Sequence, residues 1–492
     1  MQTEAAGSVS SAPEVSRHHM GIILTMLVAT IVVSLNETIM NGALPKLMEE
    51  FQVSPSTAQW LATAYMLVLA VLIPTTGFLI QRFSTRTLFL TAIGLFSAGT
   101  FIAGSAPVFA VLLLGRVVQA SGTAIMLPLL TTTILALIPP ERRGAIMGTL
   151  SIVISVAPAI GPTISGLIIQ SLSWRFLFFI VLPIALMVLG YGARNLENVG
   201  ETRPSALDVW SVMLSALGFG GIVYGFSSAG QGGGWSSPYV YVPLVVGAFS
   251  LVIFIRRQLT LPTPLLDLRA FHYPMFTLSV VLIMLVMMAL FASAILLPIF
   301  LQDVRQFTPL QTGLLLLPGG VLMGVAAPVV GRLFDRYGPT ALVSVGAALL
   351  VFTLWRFTTV AASTSVAMLL TLHLIFSLGL ALLFTPVFTT GLNQLPRALY
   401  GHGSAITSTL QQVAGAVGTA LLVTIMATSR QAYLSTVSGG TEMDALNTGL
   451  HSAFAVAAGI AALALLLALF MRRVSPPVET TDEQGQPALS LH

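Results

Sequence analysis

The chain has 492 residues, of which only 8% are charged and 55% are hydrophobic, with a formal net charge of +4. Soluble domains carry about a quarter of their residues charged, so this composition belongs to an integral membrane protein. The chain has no cysteine, which excludes disulfides, thiolate metal sites and thiol redox chemistry. Its sequence pI near 9.6 does not point to nucleic acid, because the basic residues are spread through short loops and form no single stripe.

Apolar stretches of about twenty residues, the length that crosses about 30 Å of hydrocarbon, recur fourteen times along the chain. The first six spans are predicted at 20–42, 57–80, 87–106, 109–131, 144–170 and 174–193. A pair follows near 208–228 and 238–256, and the last six lie at 274–300, 308–331, 340–360, 364–392, 402–428 and 450–471. The expected organisation is therefore all-α and polytopic. It comprises a disordered tail (1–19), a six-helix bundle (20–193), a linker carrying two extra spans (194–273), a second six-helix bundle (274–471) and a disordered tail (472–492).

Orientation follows from arginine, because Lys46 is the single lysine and basic residues concentrate in short cytoplasmic loops. Threading fourteen spans with both termini inside leaves only Lys46, Arg175, Arg305, Arg356 and Arg430 outside, against fifteen arginines in the cytoplasmic loops and tails. An odd number of spans scrambles this bias. The first span is read as a retained anchor, since it carries Asn36 and Glu37 and no small-residue cleavage site follows it. The two halves also echo each other: Gly77-Phe-Leu-Ile-Gln-Arg82-Phe-Ser-Thr-Arg86 after the second span matches Gly331-Arg-Leu-Phe-Asp335-Arg336-Tyr-Gly-Pro339 after the tenth. Each sets a glycine at the helix end and a basic residue five positions later, as expected of a duplicated unit.

An ionised group at membrane depth costs about 2.5–3.5 kcal/mol even on the lenient scale, so Glu37 and Arg116 are the first functional candidates. Glu37 shares a helix face with Asn41, and burial among Ile, Val and Leu penalises its ionised form, as a proton carrier near neutrality requires. The alternative is a structural acid that bonds a neighbouring helix or sits at the lipid headgroup level. Arg116, Gln119 and Thr123 make one polar stripe on an apolar helix, either a coupling site or a clamp between helices. Gly161-Pro162 predicts a broken or bent helix, with Gly144, Gly148 and Gly166 allowing close approach. Ser404, Thr407, Ser408, Gln411 and Gln412 form a second strip, for cavity lining or interhelix bonding alike. His373 is a lone mid-span histidine, a cargo contact or a packing residue. Met284, Met287, Met288 and Phe291 offer soft apolar surface for varied ligands, or simply face lipid.

These motifs converge on a family. The loop after the second span resembles the cytoplasmic loop signature of the major facilitator superfamily, and Asp335-Arg336-Tyr-Gly338 resembles its second copy. Arg116-Val-Val-Gln119-Ala-Ser-Gly122 resembles the fourth-helix motif whose buried arginine is linked to proton coupling. Pro158-Ala-Ile-Gly161-Pro162-Thr-Ile-Ser-Gly166 resembles the antiporter motif of the fifth helix, and Trp174-Arg175-Phe-Leu-Phe-Phe-Ile-Val-Leu-Pro183 the start of the sixth. With fourteen spans, the chain resembles the fourteen-helix drug/proton antiporters, and Leu35-Asn-Glu-Thr-Ile-Met-Asn-Gly-Ala-Leu-Pro45 looks most like their lincomycin-resistance branch. The chain departs from that pattern with Asn36 where many members carry Asp, and with Gln81 where the loop signature usually has Asp.

What the resemblance implies is a proton-coupled exporter of amphipathic or lipophilic small molecules, working by alternating access in the cytoplasmic membrane. Glu37 and Arg116 would couple the proton, and Asn36, Asn41, Gln119, Thr123, His373, Thr407, Gln411 and Gln412 would meet cargo. Gly77, Arg82, Arg86, Gly161, Pro162, Gly331, Asp335 and Arg336 would seal or switch the pathway. The expected partners are cargo, protons and bilayer lipid, with no nucleic acid, ATP or cofactor, in a monomer driven by the proton gradient. Lys46 stands between Pro45 and Leu47, so no Walker A loop exists, and no Gly-x-Ser-x-Gly, His-Glu-x-x-His or dinucleotide motif suggests an enzyme. The rivals are export of an endogenous amino acid, peptide or lipid precursor, and a non-transporting receptor or scaffold.

Overall fold

In hydrocarbon every backbone N–H and C=O must be bonded within its own segment, so apolar runs of this length fold as helices. The computed structural model describes residues 17–199, 207–229, 234–437 and 441–474, with a short pairing of 480–481 against 487–488; the side chains of Asn41 and Pro162 lie outside the described residues. The helices are α1 (Arg17–Ile39), α2 (Leu44–Phe51), α3 (Pro55–Arg82), α4 (Thr85–Gly104), α5 (Phe109–Leu137), α6 (Arg143–Ser171), α7 (Phe176–Phe179), α8 (Val181–Asn195), α9 (Val209–Ser228) and α10 (Pro238–Thr260). They continue as α11 (Pro274–Ile299), α12 (Pro309–Tyr337), α13 (Pro339–Phe357), α14 (Val366–Asn393), α15 (Tyr400–Thr436) and α16 (Glu442–Ala468).

Among the described residues thirteen helices are long and apolar enough to cross a bilayer. The remaining expected span, 144–170, coincides with the 29 residues of α6. All fourteen predicted spans are thus helical. The two strands, Thr480–Thr481 and Pro487–Ala488, pair antiparallel within the second predicted tail, and residues 17–19 of the first open α1; the rest of both tails lies outside the described residues.

The expected limits change where polar chemistry takes over from hydropathy. The first span ends at Ile39, where a 3-10 turn (Met40–Ala43) and then α2 begin, so Asn41 does not continue the α-helical face of Glu37. The last span starts eight residues earlier than expected, because Thr441 caps α16 by accepting from the Asp444 amide at 3.1 Å. Gly77 and Gly331 are not at helix ends: α3 runs on to Arg82 and α12 to Tyr337. Nor does Gly161-Pro162 break its helix, since α6 runs unbroken from Arg143 to Ser171. A proline removes a single ladder bond, which neighbouring groups in a membrane bundle readily offset.

The first bundle is α1 and α3–α8, the second α11–α16. They meet along two seams, α6 against α12 and α3 against α15, with α14 and α5 completing the contacts. The α6/α12 seam depends on glycine. A Cβ on Gly331 would stand 2.6 Å from the Gly144 carbonyl carbon and 2.8 Å from the Ala145 Cα, and one on Gly148 would meet the Ala327 carbonyl at 2.5 Å. Any side chain here forces the bundles apart. The extra pair forms a hairpin in which α10 packs on α9 while α9 lies against both α3 and α15. Its base is tied by Arg257, whose Nε and NH2 donate to Asp208 at 2.7 and 3.0 Å, and by Ser211 and Gln258 beside them. At the other end Trp235 Nε1 donates to Thr424 of α15 at 3.0 Å.

Candidate functional site

Two sites emerge, one inside the first bundle and one across the seams. The inner-bundle site is centred on Arg116, which is 1% exposed and lies on α5. Burying a guanidinium is costly unless its donors are matched. Here NH1 donates to Asn36 Oδ1 at 2.9 Å and Gln119 Oε1 at 3.1 Å, with the Asn36 carbonyl at 3.5 Å, and the guanidinium carbon lies 4.1 Å from the centroid of the Tyr65 ring. Gln119 Nε2 passes the chain on to Thr100 of α4 at 2.7 Å, and the Tyr65 hydroxyl bonds Thr123 at 2.7 Å. Arg116 Nε has no partner among the described residues.

This arrangement sorts the sequence candidates. Asn36, Gln119 and Thr123, expected at the cargo, are bonded to Arg116 and Tyr65. Asn36 is buried and faces the arginine, whereas Glu37, the next residue, is half-buried. The turn between them is that of a helix, about 100° per residue, so two consecutive side chains cannot share a direction. Glu37 and Arg116 act on each other electrostatically, yet among the described residues no ion pair within 4.0 Å joins them. A carboxylate is thereby left beside a buried cation without being locked to it. Gly161 of α6 completes the site, since a Cβ there would collide with the Thr38 side chain one residue from Glu37.

Glu50 fixes the far end of this region. Arg175 NH1 and Trp174 Nε1 each donate to it at 2.7 Å, and Arg175 NH2 also reaches the Ala106 carbonyl at 3.2 Å. Partial burial alone would raise the Glu50 carboxyl, but these hydrogen bonds outweigh it and hold it below the usual carboxylate range. Trp174-Arg175 is thus a tie from α2 to the start of α7. Arg305 donates to the Ala362 carbonyl, and among the described residues no ion pair joins it to the nearby Asp303.

The second site is the arginine-rich end of the seams. Asp335, in the last turn of α12, accepts from the amides of Gly144 and Ala145 at 2.9 Å each, so its carboxylate sits on the N-terminus of α6. Arg336, expected to act with it, lies over the Tyr337 ring at 5.1 Å, and Arg473 donates to the Asp335 carbonyl. In the other seam Gln81, in the last turn of α3, donates to the Ala398 carbonyl at 3.2 Å and lies 2.8 Å from His402 Nε2. Arg143 joins the seams: buried at 3% exposure, it donates to Leu135 and Ile138 carbonyls in its own bundle and to Asn393 Oδ1 (2.9 Å) and the Tyr400 hydroxyl (3.1 Å) in the other. Ser404 Oγ faces the Pro128 carbonyl at 3.5 Å.

The remaining candidates are less involved. Arg82 is exposed, and Arg86 donates to the Ala193 carbonyl within its own bundle. His373 packs between α14 and α12, with Nε2 3.1 Å from the Leu316 carbonyl. Thr407 bonds its own helix at the Gly403 carbonyl, whereas Gln411 Nε2 and Ser408 Oγ are buried without partners among the described residues; Gln412 is half-buried. Sequence reasoning missed Arg143, Tyr65 and His402. Arg143 reads as one more loop arginine beside Arg142, and only the helix start at Arg143 turns it inward.

Residues 26–419 match the family described as Major Facilitator Superfamily. The chain belongs to this superfamily. It is accordingly a multi-pass membrane transporter and not an enzyme. It is 46% identical over 460 residues to "Lincomycin resistance protein LmrB" of Bacillus subtilis strain 168, covering 92% of this chain and 96% of the relative. It is also 28% identical over 403 residues to "Multidrug resistance protein B homolog" of Mycobacterium tuberculosis strain H37Rv, covering 81% and 75%. The superfamily architecture recurs in the crystal structure of the human organic anion transporter MFSD10 (TETRAN), with TM-score 0.65 and 15% identity over 92% of this chain and 99% of that one. That likeness concerns the fold alone.

Proposed function

We propose that the chain is a proton-coupled exporter of amphipathic or lipophilic small molecules, of the kind that confer drug resistance, acting by alternating access in the cytoplasmic membrane. The observation that carries this reading is the Glu37–Arg116 arrangement: a half-buried carboxylate near a buried guanidinium whose near partners are neutral. Taking up a proton leaves Glu37 neutral and Arg116 held by Asn36 and Gln119 alone. Losing it restores an attraction across the site. The charge state of Glu37 alters the forces between α1, α5 and α6, and because α6 packs along α12 of the other bundle, a proton here is coupled to bundle position. Each proton moving inward down 100 mV contributes about 2.3 kcal/mol to driving cargo outward. No nucleotide or cofactor enters this scheme, and a single chain supplies both bundles.

The arginine-rich end is the cytoplasmic one by the positive-inside rule, with both termini there. Cross-bundle bonds from Gln81, Arg143 and Asp335 gather at that end, while Glu37 and Arg116 lie towards the opposite ends of their helices. This supports a state closed to the cytoplasm in which Glu37 can take a proton from outside. Names of relatives that specify lincomycin and multidrug resistance support a lipophilic drug as cargo.

The test is proton movement in energised inverted vesicles as lincomycin or a lipophilic cation is added. Wild type is expected to release lumenal protons on cargo addition, and Glu37→Gln to abolish that release while still binding cargo. Cargo-driven proton movement that survives in Glu37→Gln would sink the assignment of Glu37.

A further inference from the structure

The cytoplasmic seam between α3 and α15 holds a titratable group that the coupling site does not use. His402 is 3% exposed, lies in the first turn of α15, and its ring is pressed onto Gly77, where a Cβ would stand 2.8 Å from Nδ1. Its protonation state can be read from its neighbour. Gln81 Nε2 lies 3.2 Å from the Ala398 carbonyl, an acceptor only, which fixes that atom as the amide nitrogen. Its second hydrogen then points to His402 Nε2 at 2.8 Å, so that ring nitrogen must accept. This geometry fits a neutral imidazole with its proton on Nδ1, a nitrogen that has no partner among the described residues.

We infer that His402 is a second proton-binding site, at the inner gate, and that the α3/α15 latch closes only while this imidazole is neutral. A proton arriving on Nε2 turns the acceptor into a donor. Gln81 then faces a second donor at hydrogen-bond distance, and an imidazolium is left in a seam whose groups within reach are the Gln81 amide, Gly77 and the Ala398 carbonyl. The remaining charges around it do not hold it shut. Asp267, from the segment before α11, acts on the ring but is itself 3.9 Å from Arg269. Arg82 of α3 and Arg397 before α15 are exposed, and Arg143 is bound to Tyr400 two residues away. The relief available to the charged ring is to separate from α3 and reach water, which opens the cytoplasmic side. Acid in the cytoplasm thus favours the inward-open state, independently of whether Glu37 carries the transported proton.

The chain contains no cysteine, so spin labels at introduced cysteines report without background. Cysteines replacing Arg82 and Arg397, both exposed beside the latch, give a distance distribution across the seam by pulsed dipolar spectroscopy in nanodiscs. The ratio of short- to long-distance populations is expected to fall about tenfold between about pH 8 and about pH 5.5. In His402→Gln, whose amide oxygen accepts from Gln81 at any pH, it is expected to stay. Gln81→Glu gives the imidazolium a carboxylate partner and should keep the latch shut in acid. A wild-type distribution indifferent to pH, or the same acid opening in either variant, would overturn the assignment. Because the readout is conformational and needs no cargo, its failure and that of proton antiport at Glu37 are distinguishable.

Discussion

The last turn of α12 and the last turn of α3 occupy matching places in the two bundles, and they close the same end of the molecule with opposite chemistry. Asp335 sets an anionic acceptor on two amides at the positive end of α6. Gln81 sets a neutral donor against a ring nitrogen and a carbonyl at the start of α15. Hydrogen bonds to a charged group are about twice as strong as neutral ones, and the helix dipole adds about 0.3–1 kcal/mol. The two contacts share a position and not a chemistry, so under the proposed alternating access the first seam would serve as the hinge and the second as the release. The packing agrees: α6 and α12 touch backbone to backbone at Gly144 and Gly331, whereas the nearest approach of α3 to α15 at Gly77 is to the His402 side chain.

That asymmetry can be broken most severely at the hinge. Gly331→Val places methyl groups where the Gly144 backbone stands, and overpacking costs about 1–3 kcal/mol or more where backbone cannot yield. The population closed at this end, read from interbundle label distances, is expected to fall at least about tenfold, with transport lost. Arg143→Lys should come next. A guanidinium reaches four acceptors on two bundles, and an ammonium cannot span them, so a loss of about 1–3 kcal/mol of closure is expected. Asp335→Ala and Gln81→Ala sharpen the comparison directly. The first should reduce the closed population about tenfold and the second about threefold. Equal effects would show that the two latches do not differ in strength.

The fold was legible because hydropathy writes transmembrane helices in long uninterrupted runs, and all fourteen expected spans are helical. Their ends were less legible. At Thr441 and at Ile39 the change is made by a cap and by a 3-10 turn, to which a window of apolar residues is blind. The polar residues inside spans were legible as a group, and Arg116 with Gln119 was read from their spacing alone. Their partners were not. Nothing in the order of residues says that Asn36 would turn to Arg116 while Glu37 makes no ion pair among the described residues, or that Tyr65 would lie under the guanidinium. The gate was half-legible: Asp335 stood out as an acid in a loop echo, while Gln81 looked like a loss because its partner, His402, is 321 positions away.

The smallest effect is expected at the base of the α9–α10 hairpin, and it decides what that hairpin is for. Arg257 bonds Asp208 through both carboxylate oxygens, and this, ahead of the bond from Ser211, lowers the Asp208 carboxyl from 3.8 to about 2. A carboxyl depressed on folding stabilises the protein above its ordinary value and ceases to do so as pH falls through the folded value. The pair therefore contributes in full above about pH 5 and is lost towards pH 2. Arg257 is 37% exposed, so solvent screens the pair and its contribution is small. Asp208→Asn should lower the melting temperature slightly at pH 7 and make it fall less steeply from pH 5 to pH 3. Transport should persist, since α9 still lies against α3 and α15 over its length. A variant that melts like wild type yet fails to transport would instead mean that the hairpin, which touches both α3 and α15, must be held in register for the proposed opening of that seam.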